Sequence, residues 1–213
     1  MEQESRLSTD PQGTPGTLRP GGRTAKVRAA ALEATRETLI AQGFHALNMD
    51  RVAAAAGVGR TTVYRRWGSS AGLVADLLRE MAEQSVPGAD TGTLEGDLRA
   101  NAALVLDALT DPRSSAVFQA VIAAAACDAE CATALNGFYA TRIGAWVPCV
   151  ERAAARGEIP AGTEAAEVVR AVSAPLYYRF AISREPLTTA DAERAATAAL
   201  TAARAGAYRR APH

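Results

Sequence analysis

Apolar residues recur at helical spacing along most of the chain, and this pattern predicts an all-α fold. From Arg23 the apolar positions step by three or four residues as far as Gly43, a natural helix end. Shorter helices are predicted from Asn48 and over 60–67, and a fourth from about Ser70. No segment alternates with period two for long enough to predict a strand.

A break over 86–92 separates these helices from a second group of five. The five are predicted near 94–109, 114–127, 129–156, 165–183 and 189–205. Pro148 and Pro175 fall inside two of them and predict a kink or a split. Residues 1–22 hold three of the ten Pro and four of the seventeen Gly without periodicity, which predicts a disordered arm.

Composition agrees with helices and limits the classes of protein. The chain contains 50 Ala, and 22 of its 23 basic residues are Arg, so strong helix formers dominate. The longest apolar run, 120–127, is too short to cross a membrane, and the N-terminus lacks the pattern of a secretory signal. Three Cys do not make a disulfide framework, so a cytoplasmic location is expected.

Motifs of catalysis are also missing from the sequence. No phosphate-binding loop, GxSxG or HExxH occurs, and two His are too few for a His-based metal site. The sequence therefore predicts neither an enzyme nor a resident metal or cofactor.

The net charge of zero conceals an uneven distribution. Residues 23–67 carry eight basic and three acidic side chains, a net of +5, whereas residues 68–213 carry a net of −4. The basic surplus coincides with the short helix, tight turn and short helix at 48–67. This combination is typical of a helix-turn-helix DNA-binding element.

The passage GFHALNMDRVAAAAGVGRTTVYRRWGSSAGLVADLL, residues 43–78, resembles the DNA-binding region of the tetracycline-repressor (TetR) family. The matching elements are Gly43-Phe44, Val52-Ala53, Ala56-Gly57-Val58, Val63-Tyr64, Arg65-Arg66-Trp67 and Leu73. The resemblance implies a three-helix DNA-binding domain over 23–68 and a larger helical bundle over 69–213. It further implies a homodimeric regulator, most often a repressor, that binds a pseudo-palindromic DNA operator and is released by a small-molecule effector.

Candidate DNA contacts follow from the helix geometry. Val63 and Trp67 lie four residues apart and are predicted to face inward. The side chains expected to meet DNA are Asn48, Arg60, Thr61, Thr62, Tyr64, Arg65 and Arg66. Those at the start of the recognition helix, 60–62, are expected at base edges, and those at 64–66 at phosphates. Asn48 is expected to cap its helix and to donate to a phosphate.

Two positions depart from the family pattern. Ser70 stands where relatives usually carry Lys, and its hydroxyl is predicted to cap the fourth helix; Ala55 stands where many carry Arg. An alternative hypothesis is therefore a helical small-molecule or redox sensor with a weakened DNA-binding module. Arg19 and Arg23 are further candidates, for the minor groove.

The C-terminal stretch 152–200 resembles one branch of the same family. The resemblance implies dimerisation through the helices at 165–183 and 189–205, with Ala171, Ala174, Ala195 and Ala199 allowing close approach. It also implies a small-molecule pocket, for which the candidate residues are Phe118, Cys127, Tyr139, Arg142, Trp146 and Tyr177. A buried Arg142 would need either a carboxylate of the domain or an acidic ligand.

Cys127 and Cys131 are four residues apart. Such a pair is compatible with a soft-metal site, an oxidation sensor or plain apolar filling, and the sequence leaves these open.

Overall fold

A computed structural model describes residues 20–85 and 88–210 and shows nine α-helices in them. They are α1 Pro20–Gln42, α2 Met49–Ala55, α3 Arg60–Trp67, α4 Ser70–Gln84, α5 Leu94–Thr110, α6 Pro112–Ala125, α7 Ala129–Ala155, α8 Ala165–Tyr177 and α9 Thr189–Arg204. The described residues contain no strand, so the all-α prediction is confirmed. Among them, no helix has the length and apolar character that a membrane span requires.

Side chains at the predicted breaks cap most of these helices. Asn48, Thr93, Asp111 and Asp128 each accept a hydrogen bond from a backbone N–H in the first turn of the following helix. Asp111 therefore starts α6 at Pro112, two residues before the predicted Ser114, because proline fits the first helical position.

Other boundaries differ from the prediction. The helix α1 already begins at Pro20, so residues 20–22 are helical; the remainder of the predicted arm, including Arg19, lies outside the described residues. A 3-10 helix over Phe44–Ala46 and a π-helical segment over Tyr178–Ser183 were not predicted. The helix α7 is not split at Pro148, whereas α8 changes to the π form three residues after Pro175.

The core is continuous from the N-terminal helices to the C-terminal bundle. Leu32 and Leu39 of α1 and Leu73 and Leu77 of α4 are buried in the same cluster as Val121 of α6. The long helix α7 contacts α4, α6 and α8, and α9 lies against α5 and α8. The bundle helices α6 and α7 therefore pack directly against α1 and α4, respectively.

Candidate nucleic-acid interface and ligand cavity

The helices α2 and α3 form the predicted helix-turn-helix. Asn48 Oδ1 accepts hydrogen bonds from the backbone N–H groups of Asp50 (2.8 Å) and Arg51 (3.2 Å) and starts α2. Gly57, with φ +65°, adopts the left-handed conformation that side chains disfavour and lets the chain reverse within Ala56–Gly59. The helix α3 ends at Trp67 and is followed by Gly68, with φ +73°.

One face of α3 is buried and the other is exposed. Val63 and Trp67 are buried against Val52 of α2, as predicted from their spacing. Tyr64, 45% exposed, is one of three large apolar side chains that the described residues expose. The exposed face also carries Thr61, Arg65 and Arg66. The arrangement presents hydroxyl and guanidinium donors on a rigidly seated helix, which suits a DNA duplex.

A buried ionic network fixes the orientation of α3. The Trp67 indole Nε1 donates to Asp76 Oδ2 of α4 at 2.8 Å, and Arg28 Nη2 of α1 donates to Asp76 Oδ1 at 3.0 Å. Burial opposes ionisation of Asp76, yet the hydrogen bonds from Arg28 and Trp67 outweigh it and lower the pKa of its carboxyl. Asp76 thus holds α1, α3 and α4 together. In the sequence, Asp76 is marked only by being an acidic residue within the apolar stripe of α4, and it was not among the predicted functional residues.

Arg60, which is expected at base edges, forms an ion pair with a carboxylate, and this pair was not predicted from the sequence. Its Nη2 lies 2.5 Å from Asp50 Oδ2 of α2, although the side chain is 71% exposed. Exposed pairs of this kind are weak, so the Arg60 guanidinium can leave the carboxylate at little cost. Asp50 positions Arg60 near the N-terminus of α3.

The remaining DNA candidates differ in how freely their side chains are presented. Asn48 is exposed, and its Oδ1 is engaged in the cap while its amide remains able to donate. Thr62 is partly buried, whereas Thr61 is exposed. The Arg66 guanidinium lies over the ring of Trp67, 5.2 Å from its centroid, which restrains the side chain at the end of α3.

The expected capping role of Ser70 is taken by its neighbour. Ser69 Oγ accepts from the Gly72 N–H at 3.1 Å, whereas Ser70 Oγ donates to the Leu47 carbonyl at 3.0 Å. Ser69 also donates to Glu130 Oε2 of α7 at 2.8 Å. Ser70 therefore ties α4 to the segment before α2, and Ser69 links this part of the chain to the bundle.

The C-terminal helices enclose a cavity of about 630 Å³, in the range of small-molecule sites. It lies among α5, α6, α7 and α8 and reaches α1 and α4 at one side. Five of the six predicted pocket residues line it: Phe118, Tyr139, Arg142, Trp146 and Tyr177. The helix α5 also contributes to the cavity, through Asn101 and Leu104, which were not among the predicted pocket residues.

Cys127 is the exception. The helix α6 ends at Ala125, so Cys127 lies exposed in the turn before α7 and does not line the cavity. Cys131 and Cys149 are buried in α7, and burial raises the pKa of their thiols to about 12 and about 11. Protonated thiols are poor nucleophiles and poor metal ligands, which argues against the sensor and soft-metal hypotheses for these cysteines.

An aromatic wall forms one side of the cavity. The ring centroids of Tyr139 and Tyr177 are 5.1 Å apart at an interplanar angle of 84°, and Phe118 and Phe138 extend the cluster. Burial raises the pKa of Tyr139 to about 12 and that of Tyr177 well above its usual range. Both phenols are therefore protonated hydrogen-bond donors at neutral pH.

Ion pairs join the cavity wall to α1. Arg113 of α6, which lines the cavity, donates from Nη2 to Glu33 Oε1 and Glu37 Oε1 of α1, each at 2.7 Å. Arg36 of α1, also on the wall, donates to Glu80 Oε2 of α4 at 3.2 Å. Both arginines therefore belong at once to the cavity wall and to the contacts between α1 and its neighbours.

The helices α8 and α9 are expected at a dimer interface. Of the small residues predicted to allow close approach there, those of α9 are not on the protein surface. Ala195 and Ala199 are buried within the chain, because this face of α9 lies against α5 and α8. Ala174 is exposed, and Tyr178 (59%) and Ile182 (68%) extend the exposed apolar surface at the end of α8. Exposed large apolar residues of this kind favour contact with another protein surface.

Two protein-family models match the chain. "Bacterial regulatory proteins, tetR family" matches residues 31–77, which include α2, α3 and most of α4. "Tetracyclin repressor-like, C-terminal domain" matches residues 89–199, more than half of the 213 residues.

Individual relatives agree with these matches. The HTH-type transcriptional regulator AqdR of Rhodococcus erythropolis is 29% identical over 147 residues, 69% of this chain and 70% of that protein. An uncharacterised HTH-type transcriptional regulator of Bacillus subtilis, YdeS, is 26% identical over 155 residues, 72% and 78% of the two chains. The crystal structure of the TetR family transcription regulator SCO0332 superimposes with a TM-score of 0.68 at 28% identity, covering 83% of this chain and 97% of that one.

Proposed function

Because the chain belongs to the TetR family of bacterial regulatory proteins, we propose that it is a repressor that binds a pseudo-palindromic operator as a homodimer and is released by a small-molecule effector. The family and its relatives are transcriptional regulators, not enzymes. The observation that carries the proposal is the exposed face of α3, where Tyr64 and Arg65 stand above the buried Val63 and Trp67. The DNA target implies a cytoplasmic location.

The domain division that fits this function is the one predicted from the sequence. Residues 23–68 would bind DNA, and residues 69–213 would bind the effector and the second subunit. The helix α4 contacts α1 of the first part and α7 of the second. This helix is therefore the natural link between the two parts.

Effector release requires that the cavity and the DNA-binding helices move together. Two recognition helices enter successive major grooves only when their centres are about 34–36 Å apart. The pairs from Arg113 to Glu33 and from Arg36 to Glu80 connect the cavity wall to α1 and α4. An effector that binds better to an arrangement with a different spacing would shift the population away from the DNA-bound form.

Selection from a pool of random duplex DNA tests the function. We expect the full-length protein to enrich an inverted repeat whose half-site centres are one helical turn apart, with affinity that falls steeply as salt rises. Failure to enrich any sequence at low salt would instead favour the alternative, a sensor whose DNA-binding module is weakened.

Dimerisation has its own test at the end of α8. Ile182→Arg is expected to yield a monomer at micromolar concentration, because it would place an unpaired charge within an apolar interface. Operator affinity should then fall by about 100-fold, since each monomer retains only one half-site. Sedimentation velocity and fluorescence anisotropy measure the two effects.

Ala123→Arg is the matched control, because it adds the same charge to an exposed position of α6. A dimer that survives Ile182→Arg would exclude this surface from the interface.

A further inference from the structure

The cavity has a one-sided charge. Four arginines line it, and no Asp, Glu, Lys or His of the described residues does. The four are Arg36, Arg113, Arg142 and Arg170. A concave site with walls of low polarity and one sign of charge concentrates ligands of the opposite sign. In the part of the chain that the structure describes, the lining therefore offers no acidic side chain to a cationic molecule.

Three of the four arginines already have carboxylate partners. Arg36 pairs with Glu33 and Glu80, and Arg113 pairs with Glu33 and Glu37. Arg170 pairs with Glu167 on the exposed side of α8. These guanidiniums are largely neutralised by the protein itself.

Arg142 differs from the other three. It forms no ion pair with any carboxylate within residues 20–85 and 88–210. The side chain is partly buried in the middle of α7, and burial lowers the pKa of its guanidinium. Even so, a guanidinium keeps its charge near neutral pH. A desolvated cation without a counterion is costly, and that cost is removed when an anion binds.

Neighbouring side chains define the rest of the ligand. Tyr139 and Trp146 lie one helical turn before and after Arg142 on α7, and all three line the cavity. Tyr177 faces Tyr139 edge to face and lines the same cavity. The surroundings thus combine aromatic surface with protonated phenol donors, close to a single unpaired cation.

We propose that the effector is an aromatic organic anion, with its acidic group bound by Arg142 and its rings against Tyr139, Trp146 and Tyr177. This inference rests on the proposed function, because it names the class of molecule that the regulator would sense. The volume of about 630 Å³ accommodates a molecule of two or three rings with room for substituents.

Two fluorescent probes that differ by one anionic group test the assignment. 1-Anilinonaphthalene-8-sulfonate carries a sulfonate, and N-phenyl-1-naphthylamine is the same skeleton without it. In Arg142→Met we expect the Kd of the sulfonate probe to rise roughly tenfold or more, since a charge-assisted hydrogen bond is lost. The Kd of the neutral probe should change by less than about twofold. Arg142→Lys, which keeps the charge, should retain most of the sulfonate affinity.

Arg170→Met is the matched control, because Arg170 lines the same cavity and is already paired with Glu167. It should leave both affinities within about twofold of the wild-type values. Equal losses of the two probes in Arg142→Met would overturn the inference, because they would show a general loss of the cavity and no recognition of charge.

A measurement on the wild-type protein guards against a variant that fails to fold. We expect 2-naphthoate to displace the bound sulfonate probe at a concentration at least tenfold lower than its neutral isostere 2-naphthamide. Equal displacement by the two would overturn the charge assignment and leave a neutral effector, so the proposed function would stand. If neither probe binds the wild-type protein, the cavity is not a small-molecule site, and the proposed effector response fails with it.

Discussion

Replacing Asp76 with alanine is expected to lower the free energy of unfolding by about 2–3 kcal/mol. The Asp76 carboxylate is buried and accepts hydrogen bonds from Trp67 and Arg28. Its loss would leave the buried indole N–H without a partner and would remove the nearer of the two carboxylates that pair with Arg28. Arg28 retains some contact with water, which keeps the cost at the lower end for a broken ion pair. Urea unfolding followed by circular dichroism measures the change.

Asp107→Ala is the control for this experiment, because Asp107 is exposed on α5, and the change should be within about 0.5 kcal/mol. The more conservative Asp76→Asn should be intermediate, since an amide oxygen can still accept from Trp67 while the ion pair to Arg28 is lost. If the Asp76→Ala protein had the same free energy of unfolding as the wild type, the network would not stabilise the fold.

The difference in the free energy of unfolding between wild type and Asp76→Asn is expected to depend on pH. The pKa of Asp76 is lower in the folded protein than in the unfolded chain, so its ionised form stabilises the fold above the unfolded value of about 4. That stabilisation is lost as the pH falls through the lowered folded pKa. The stability gap between wild type and Asp76→Asn should therefore be constant from pH 7 to about pH 5 and close only at more acidic pH.

Helices were predictable because their signals are local. The cap at Asn48, the turn at Gly57 and the inward spacing of Val63 and Trp67 are all determined by residues within four positions of one another. The same local information located the exposed face of α3. It also identified five aromatic or charged residues of the cavity, since these stand out on otherwise apolar helix faces.

Pairings between distant residues were not predictable in this way. Arg28 and Asp76 are 48 positions apart, and nothing in either local pattern indicates that they meet. The spacing of Ala195 and Ala199 showed that α9 has an apolar face of small residues, but spacing does not say whether the partner of that face is α5 or a second subunit. The π-helical segment after Pro175 likewise depends on how the last turns of α8 fit against their neighbours.

The position of Cys127 could not be predicted from the apolar pattern either. The predicted helix extended to it because the apolar run 120–127 is continuous in sequence. In the structure α6 ends at Ala125, and Asp128 caps α7 three residues before Cys131, so the two cysteines belong to different elements. The helix α6 thus ends two residues earlier than its apolar pattern predicts, and Cys127 lies exposed in the turn.

The exposed face of α3 leads to the largest expected effect on function. Tyr64→Ala combined with Arg65→Ala is expected to weaken operator binding by about 100-fold or more, because a dimer would lose the phosphate contacts of two tyrosines and two arginines. Both side chains are exposed, so the fold should be preserved. The slope of log K against log salt should decrease in magnitude by about 2, since two phosphate neutralisations per dimer are removed. Fluorescence anisotropy with the selected operator at several salt concentrations measures both quantities.

Arg60→Ala provides the contrasting control, because its expected contact is a base edge and not a phosphate. It should leave the salt slope nearly unchanged and instead reduce the penalty for substituting one base pair in each half-site by about 1–3 kcal/mol. The Arg60 pair with Asp50 in the free protein lessens the net effect on affinity, since the wild-type side chain must leave that carboxylate to reach DNA. If the folded Tyr64→Ala/Arg65→Ala protein kept full operator affinity, α3 would not be the DNA-binding helix. Loss of affinity with an unchanged salt slope would instead place Arg65 away from the phosphates, leaving Tyr64 as the contact that matters.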